Sequence, residues 1–191
     1  MRVAIFGHSY VRDLQQLGYS HLIYSDVCVP LNFFSFPGSG FHKFILEPSL
    51  LDELVSCKPD IVVIFLGGND IKIDVDLNFV KRDCEQFYAI LRLRLPKSTF
   101  VVSQIELRHI VSVNRHGTPA FELYRKLANN FNKWVARQKF KDKILLINGE
   151  NKLSNSNFFR ADGVHLTKQG LELVFNLIHS CLSDTVLASK K

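Results

Sequence analysis

The chain has 191 residues, 47% of them hydrophobic and 22% charged, with a formal net charge of +6. That length suits one domain and is short for two, and the balance is that of an ordinary globular protein. No apolar run approaches the ~20 residues of a membrane span, and no charged lead with a long apolar stretch marks a secretory signal, so a cytoplasmic protein is expected.

In chain order, Arg2–Phe6 reads as a buried strand, followed by a helix over about Tyr10–Leu17 that stops near Gly18. Leu22–Tyr24 and Asn32–Phe36 are further extended pieces, and Pro37-Gly38-Ser39-Gly40 breaks the chain. A helix follows, interrupted by Pro48 and continued through Leu50, Leu51, Leu54 and Val55. Ile61–Leu66 is six apolar residues between turn signals, the pattern of a central strand buried on both faces. The spacing of Leu77, Val80, Cys84, Phe87 and Leu91 predicts a helix over about Asp76–Leu95. Phe100–Val102 reads as a strand and Leu107–Pro119 as irregular. A helix over Phe121–Phe140 is expected to bury Leu123, Leu127, Phe131 and Trp134, and Ile144–Ile147 is the last strand. Asn148–Gly163 reads as loop. The final helix starts near Thr167 and buries Leu171, Val174, Phe175, Ile178 and Leu182.

Strands alternating with helices predict a parallel sheet covered on both faces. The fold class expected is α/β, a three-layer α/β/α sandwich on a five-stranded parallel sheet of flavodoxin-like order. One domain over residues 1–183 and a flexible tail over 184–191 are expected. Sixteen Phe predict a large aromatic core. Cys28, Cys57, Cys84 and Cys181 show no metal-ligand spacing and read as small core residues with free thiols.

Four stretches converge on the carboxyl ends of the strands, where such sheets bind ligands. Ser9 sits where a strand ends and a helix begins. There the turn exposes a hydroxyl and helical N–H groups face any anion beside it. The glycines of Pro37-Gly38-Ser39-Gly40 allow a backbone N–H to approach a ligand closely. Asn69 places an amide at the tip of the central strand. Asp162 stands three residues before His165, a spacing that lets the carboxylate orient the imidazole. Together they suit acyl transfer. Ser9 attacks, His165 is base and then acid, and Asp162 fixes its tautomer. The N–H of Ser9, the N–H of a glycine near 40 and the Asn69 amide hold the oxyanion.

Gly7-His8-Ser9, the glycine turn, Gly67-Gly68-Asn69-Asp70 and Asp162-Gly163-Val164-His165 stand in the order of the four blocks of the SGNH (GDSL-type) hydrolases, which the chain resembles from Val3 to about Leu182. The resemblance implies the same sandwich, no metal or cofactor, and a small acyl-ester or lipid substrate. Two departures stand out. His8 replaces the usual Asp before the nucleophile, and the glycine block is not clean. Gly40, which precedes a helix, is preferred for the oxyanion N–H, with Gly38 as runner-up. The Gly-His-Ser-Tyr-Val-Arg variant resembles the esterase-like domains in first open reading frames of animal LINE-type retrotransposons. The same resemblance supplies the alternative to a short-chain esterase, a weak or inactive SGNH-fold module that binds RNA or protein.

Each residue also has a plainer role open to it. Ser9 suits a helix N-cap, Asn69-Asp70 a simple turn, and His165 a helix cap or loop position. His8 reads as a turn residue under the sheet edge, and Asp70 as a brace for its loop. His109 and His116 receive no role. Lys126, Lys133 and Arg137 share one arc of their helix, with Arg92 and Arg94 elsewhere. That arc is either a solvated face or a contact for anionic lipid or nucleic acid.

Overall fold

A computed structural model of the chain describes residues 1–24, 26–105, 120–146, 153 and 156–188. Its six-stranded sheet has the order β2-β3-β1-β4-β5-β6. The strands are β1 (Val3–Gly7), β2 (His21–Tyr24), β3 (Val27–Ser35), β4 (Ile61–Phe65), β5 (Thr99–Ser103) and β6 (Lys143–Leu145). Neighbours from β3 to β6 are parallel, whereas β2 runs antiparallel to β3. Numbered by themselves, the five parallel strands follow the flavodoxin order 2-1-3-4-5.

The sixth strand differs from the expected count. The link from Tyr24 to Val27 is too short for a crossover, so β2 and β3 form a hairpin. β3 also begins before the expected Asn32. Its first half pairs with β2 through Pro30, and from Leu31 onward it pairs with β1. Pro30 therefore stands at the hand-over between partners, and a proline inside the run hid the strand.

Alternation along the central strands divides two cores. Val3, Ile5, Ile61, Val63 and Phe65 face α1 (Ser9–Gln15) and α6 (Lys168–Ala188). Ala4, Phe6, Val62, Ile64 and Leu66 face α2 (Phe41–Leu46), α3 (Asp52–Cys57), α4 (Leu77–Arg94) and α5 (Ala120–Ala136). This second core is aromatic. Phe87 is fully buried, with ring centroids of Phe6, Phe41, Phe44 and Tyr88 at 6.0, 5.6, 5.7 and 5.2 Å. Such pairs add to the burial of area alone.

The α5 helix buries a different stripe from the one expected, and ends at Ala136 rather than near Phe140. Tyr124, Ala128, Phe131 and Val135 point inward, Leu127 and Trp134 are partly buried, and Leu123 is exposed. Asn132 is buried on the same side of the helix. Its Oδ1 accepts from the Ile105 N–H at 2.8 Å and its Nδ2 donates to the Ile105 carbonyl at 2.9 Å. That buried pairing satisfies the main chain just past β5 and ties α5 to it.

α6 runs through Ala188 with Val186 fully buried, beyond the expected boundary at 183. Cys84 is buried, but Cys28 lies on an outward position of β3 and is exposed rather than core. The expected irregular stretch Leu107–Pro119, with His109 and His116, lies outside the described residues, as does most of the loop after β6. Among the described residues, no helix is long and apolar enough to cross a membrane.

Phe87→Ala should cost about 3–5 kcal/mol, because it leaves a cavity among rings that cannot collapse together. Urea unfolding monitored by circular dichroism would measure the loss.

Candidate active site

The order of the parallel strands reverses between β1 and β4, and Ser9 and Asn69 follow those two strands. β1 ends at Gly7, opposite Phe65. A β-carbon at Gly7 would lie 2.1 Å from the Phe65 carbonyl oxygen, and the residue has φ +154. Only glycine fits that approach. The His8 N–H then donates to the same carbonyl at 3.2 Å, extending the ladder by one residue before α1 turns away.

His8, not Ser9, is the N-cap of α1. Its Nδ1 accepts from the Tyr10 N–H at 3.5 Å, and the ring, 4% exposed, meets Tyr10 edge-on. The imidazole thus takes the capping work that a serine or aspartate usually does. Ser9 becomes the first helical residue, partly exposed.

The turn before α2 is clamped from β4. Asn69 Nδ2 donates to the Ser39 carbonyl at 3.1 Å, and Asp70 Oδ1 accepts from the Phe41 N–H at 3.0 Å. Two adjacent side chains therefore hold the main chain on either side of Gly40. A β-carbon at Gly40 would lie 2.2 Å from Asp70 Oδ1, so the clamp requires glycine there. Gly38, with φ +77, is exposed and has no atom near the corresponding position. Asp70 thus braces the loop, as expected. Burial pushes its carboxyl up to about 6, against the bond from the Phe41 N–H and with a further upward push from Asp83.

His165 and Asp162 form a compact unit. Asp162 Oδ2 lies 2.7 Å from His165 Nδ1, and Oδ1 accepts from the N–H groups of Val164 and His165 at 2.8 and 2.9 Å. Desolvation pushes the Asp162 carboxyl up, but the bonds from the His165 ring and the two backbone N–H groups outweigh it and hold it at about 2. The Tyr10 hydroxyl donates to the Val164 carbonyl, which joins the start of α1 to this loop.

The basic residues divide. Arg92 is structural, donating to the Ser98 and Phe140 carbonyls and Asp142 at 2.9, 3.2 and 3.0 Å while lying over the Phe100 ring. Arg94 pairs with Asp52 and the Pro48 carbonyl. Lys126 and Lys133 line an open depression of about 490 Å³ on α5 with Glu122, Arg125, Asn129 and Asn130. Arg137 is not among its lining residues.

Sequence reasoning missed Tyr10, Asp13 and Arg160 around the site. The available signal was a carboxylate at Asp13 between the buried Val11 and Leu14 of a short helix.

A flavodoxin-like sandwich whose polar side chains gather where the strand order reverses is the scaffold of the SGNH hydrolases. Residues 7–173 match the GDSL-like Lipase/Acylhydrolase family. The chain belongs to that family and is a carboxylic ester hydrolase. Solved structures share the fold. A carbohydrate esterase family 3 protein from Talaromyces cellulolyticus has a TM-score of 0.67 at 15% identity, covering 98% of this chain and 99% of its own. The psychrotrophic esterase EstA from a Pseudoalteromonas species has a TM-score of 0.62 at 13% identity, covering 97% and 98%. A lipase/acylhydrolase from Enterococcus faecalis has a TM-score of 0.60 at 19% identity, covering 96% of each chain. No curated protein matches the chain by sequence.

Two outcomes follow from the clamp. Gly40→Ala should destabilise the protein by about 1–3 kcal/mol, and by much less in an Asp70→Ala background where the clashing carboxylate is gone. The raised Asp70 pKa means that the folded state holds this proton more tightly than the unfolded chain. Asp70's contribution is therefore fully present below 3.8 and lost as pH rises to about 6. Thermal melts across that range should show the fall in wild type and a flatter profile in Asp70→Asn.

Proposed function

We propose that the protein is a serine esterase for short-chain, acetyl-type esters, including those of lipids, with Ser9 as nucleophile, His165 as general base and Asp162 as its orienting carboxylate. The observation that carries this is the 2.7 Å contact of Asp162 Oδ2 with His165 Nδ1, in a loop tied to α1 beside Ser9. With Nδ1–H directed at Asp162, Nε2 is the acceptor for the serine proton.

Ser9 Oγ attacks the carbonyl carbon as its proton passes to His165 Nε2. The C=O pair moves onto oxygen. The N–H groups of Ser9 and Gly40 and one amide hydrogen of Asn69 receive that oxyanion. The Asn69 amide has two donors, and the one on Ser39 fixes the plane of the other. The tetrahedral species collapses, the bond to the alcohol oxygen breaks, and His165 Nε2 returns its proton to that oxygen. Water repeats the sequence on the acyl-serine and frees the acid. The imidazolium formed in each half is stabilised by the ionised Asp162, whose low pKa keeps it charged at neutral pH. Each oxyanion donor is expected to contribute about 3–4 kcal/mol to the transition state. The clamp on Gly40 supports its assignment over Gly38, because a fixed N–H costs no reorganisation during the reaction.

Hydrolysis of p-nitrophenyl esters from acetate to octanoate should fall at least ~10³-fold in both Ser9→Ala and His165→Ala. Asn69→Ala should lose about 10²-fold in kcat. A fluorophosphonate should label wild type and leave Ser9→Ala unlabelled. Wild type no faster than Ser9→Ala on every ester, and unlabelled, would overturn the esterase reading in favour of a binding module.

A further inference from the structure

The chemistry just described uses Ser9 but not the rest of α1, which carries two more buried polar groups. Tyr10 is 1% exposed and Asp13 is 2% exposed. Asp13 Oδ1 accepts from Arg12 Nε and Nη2 at 2.9 and 2.7 Å, and Oδ2 lies 3.4 Å from Arg160 Nη2. A buried carboxylate on a seven-residue helix is costly unless it is paired.

Arg12 pairs it from within α1, and Arg160, the second cation beside it, belongs to the His165 loop. The Arg160 main-chain N–H donates to the His165 carbonyl at 2.7 Å, and its Nε donates to the Leu166 carbonyl at 2.9 Å. The Tyr10 hydroxyl donates to the Val164 carbonyl. Three consecutive carbonyls centred on His165 are therefore held, and Asp162 holds the N–H groups of Val164 and His165. Two of these ties lead to α1. One is the Tyr10 hydroxyl and the other is Arg160 through Asp13.

We propose that Tyr10 is a positioning residue that sets the distance from Ser9 to His165, with the Asp13–Arg160 pair as a second tie between the same two elements. The inference rests on the triad reading. Ser9 and His165 come from opposite ends of the chain, and among the described residues no strand ladder joins their elements directly. α1 is fixed to the sheet through Gly7 and His8. The 160–166 loop is closed on itself by the Phe159–Leu166 bridge and leads into α6. The Tyr10 ring is buried, so its hydroxyl is a rigid arm with two torsions. Removing the oxygen leaves the ring packing intact and cuts this one tie to the loop. A base displaced by a fraction of an ångström from its hydrogen-bonding distance loses rate without losing substrate affinity.

Tyr10→Phe should lower kcat on p-nitrophenyl acetate about tenfold with KM within twofold. Because the effect acts through His165, the same change in a His165→Ala background should cost no further activity, which a merely structural role would not produce. Arg160→Met, which cuts the other tie, should show the same pattern and serves if Tyr10→Phe folds poorly. Unchanged kcat in both variants, or an equal loss with and without His165, would overturn this inference alone. A wild type without Ser9-dependent hydrolysis would overturn the triad reading and this inference with it.

Discussion

The approach of β1 to β4 at Gly7 is the constraint on which the site depends. A hydrogen in place of a side chain lets the Phe65 carbonyl lie against the Gly7 backbone and accept the next N–H. The ladder therefore stays tight to its last residue, and α1 leaves from a fixed point. Ser9 and the Asn69 loop then start from adjacent strands at the reversal of strand order. The chain leaves β1 toward β3 and leaves β4 toward β5, so the two connections run in opposite directions from this point. That divergence leaves a crevice at the strand ends.

From that crevice the two sides are built by different means. On one side, neighbouring residues after β4 divide the work. Asn69 reaches the carbonyl of Ser39 and Asp70 reaches the N–H of Phe41. The Asp70 carboxylate occupies the space a side chain at Gly40 would take, so the glycine and the acid specify each other. Holding that turn leaves Asp70 Oδ2 buried with no hydrogen-bond partner among the described residues, and this burial raises its pKa. On the other side, α1 presents Ser9 at its start while Tyr10 and Asp13 reach to the His165 loop. A single short helix thus carries Ser9 and holds the loop of His165.

Much of this was legible from local pattern. The apolar runs Val3–Phe6 and Ile61–Leu66 read directly as central strands, because burial on both faces leaves an unbroken apolar run, and the α6 residues from Leu171 to Leu182 read as a helix, because burial on one face writes a period. The Asp162–His165 pair was legible because three residues of separation bring the two groups together within one turn. β2 and the first half of β3 were not, because Pro30 interrupts the run and an antiparallel hairpin depends on pairing rather than periodicity. The facing stripe of α5 was ambiguous, since Leu123, Leu127 and Trp134 keep helical spacing as Tyr124, Ala128 and Val135 do.

The sequence by itself determined the α/β alternation, the four polar stretches and their placement at the carboxyl ends of strands, since each depends on residues within a few positions of one another. It also carried the family resemblance, through four short blocks in a fixed order. Only the tertiary structure decided that His8 caps α1, that Asp70 rather than another group holds Gly40, and that Tyr10 and Asp13 join the His165 loop. Those contacts span from 2 to 154 positions, and the long ones exist only once the sheet has brought its strand ends together. A hydrogen bond between residues so far apart leaves no trace in either local pattern, because neither partner alters the period or the composition around the other.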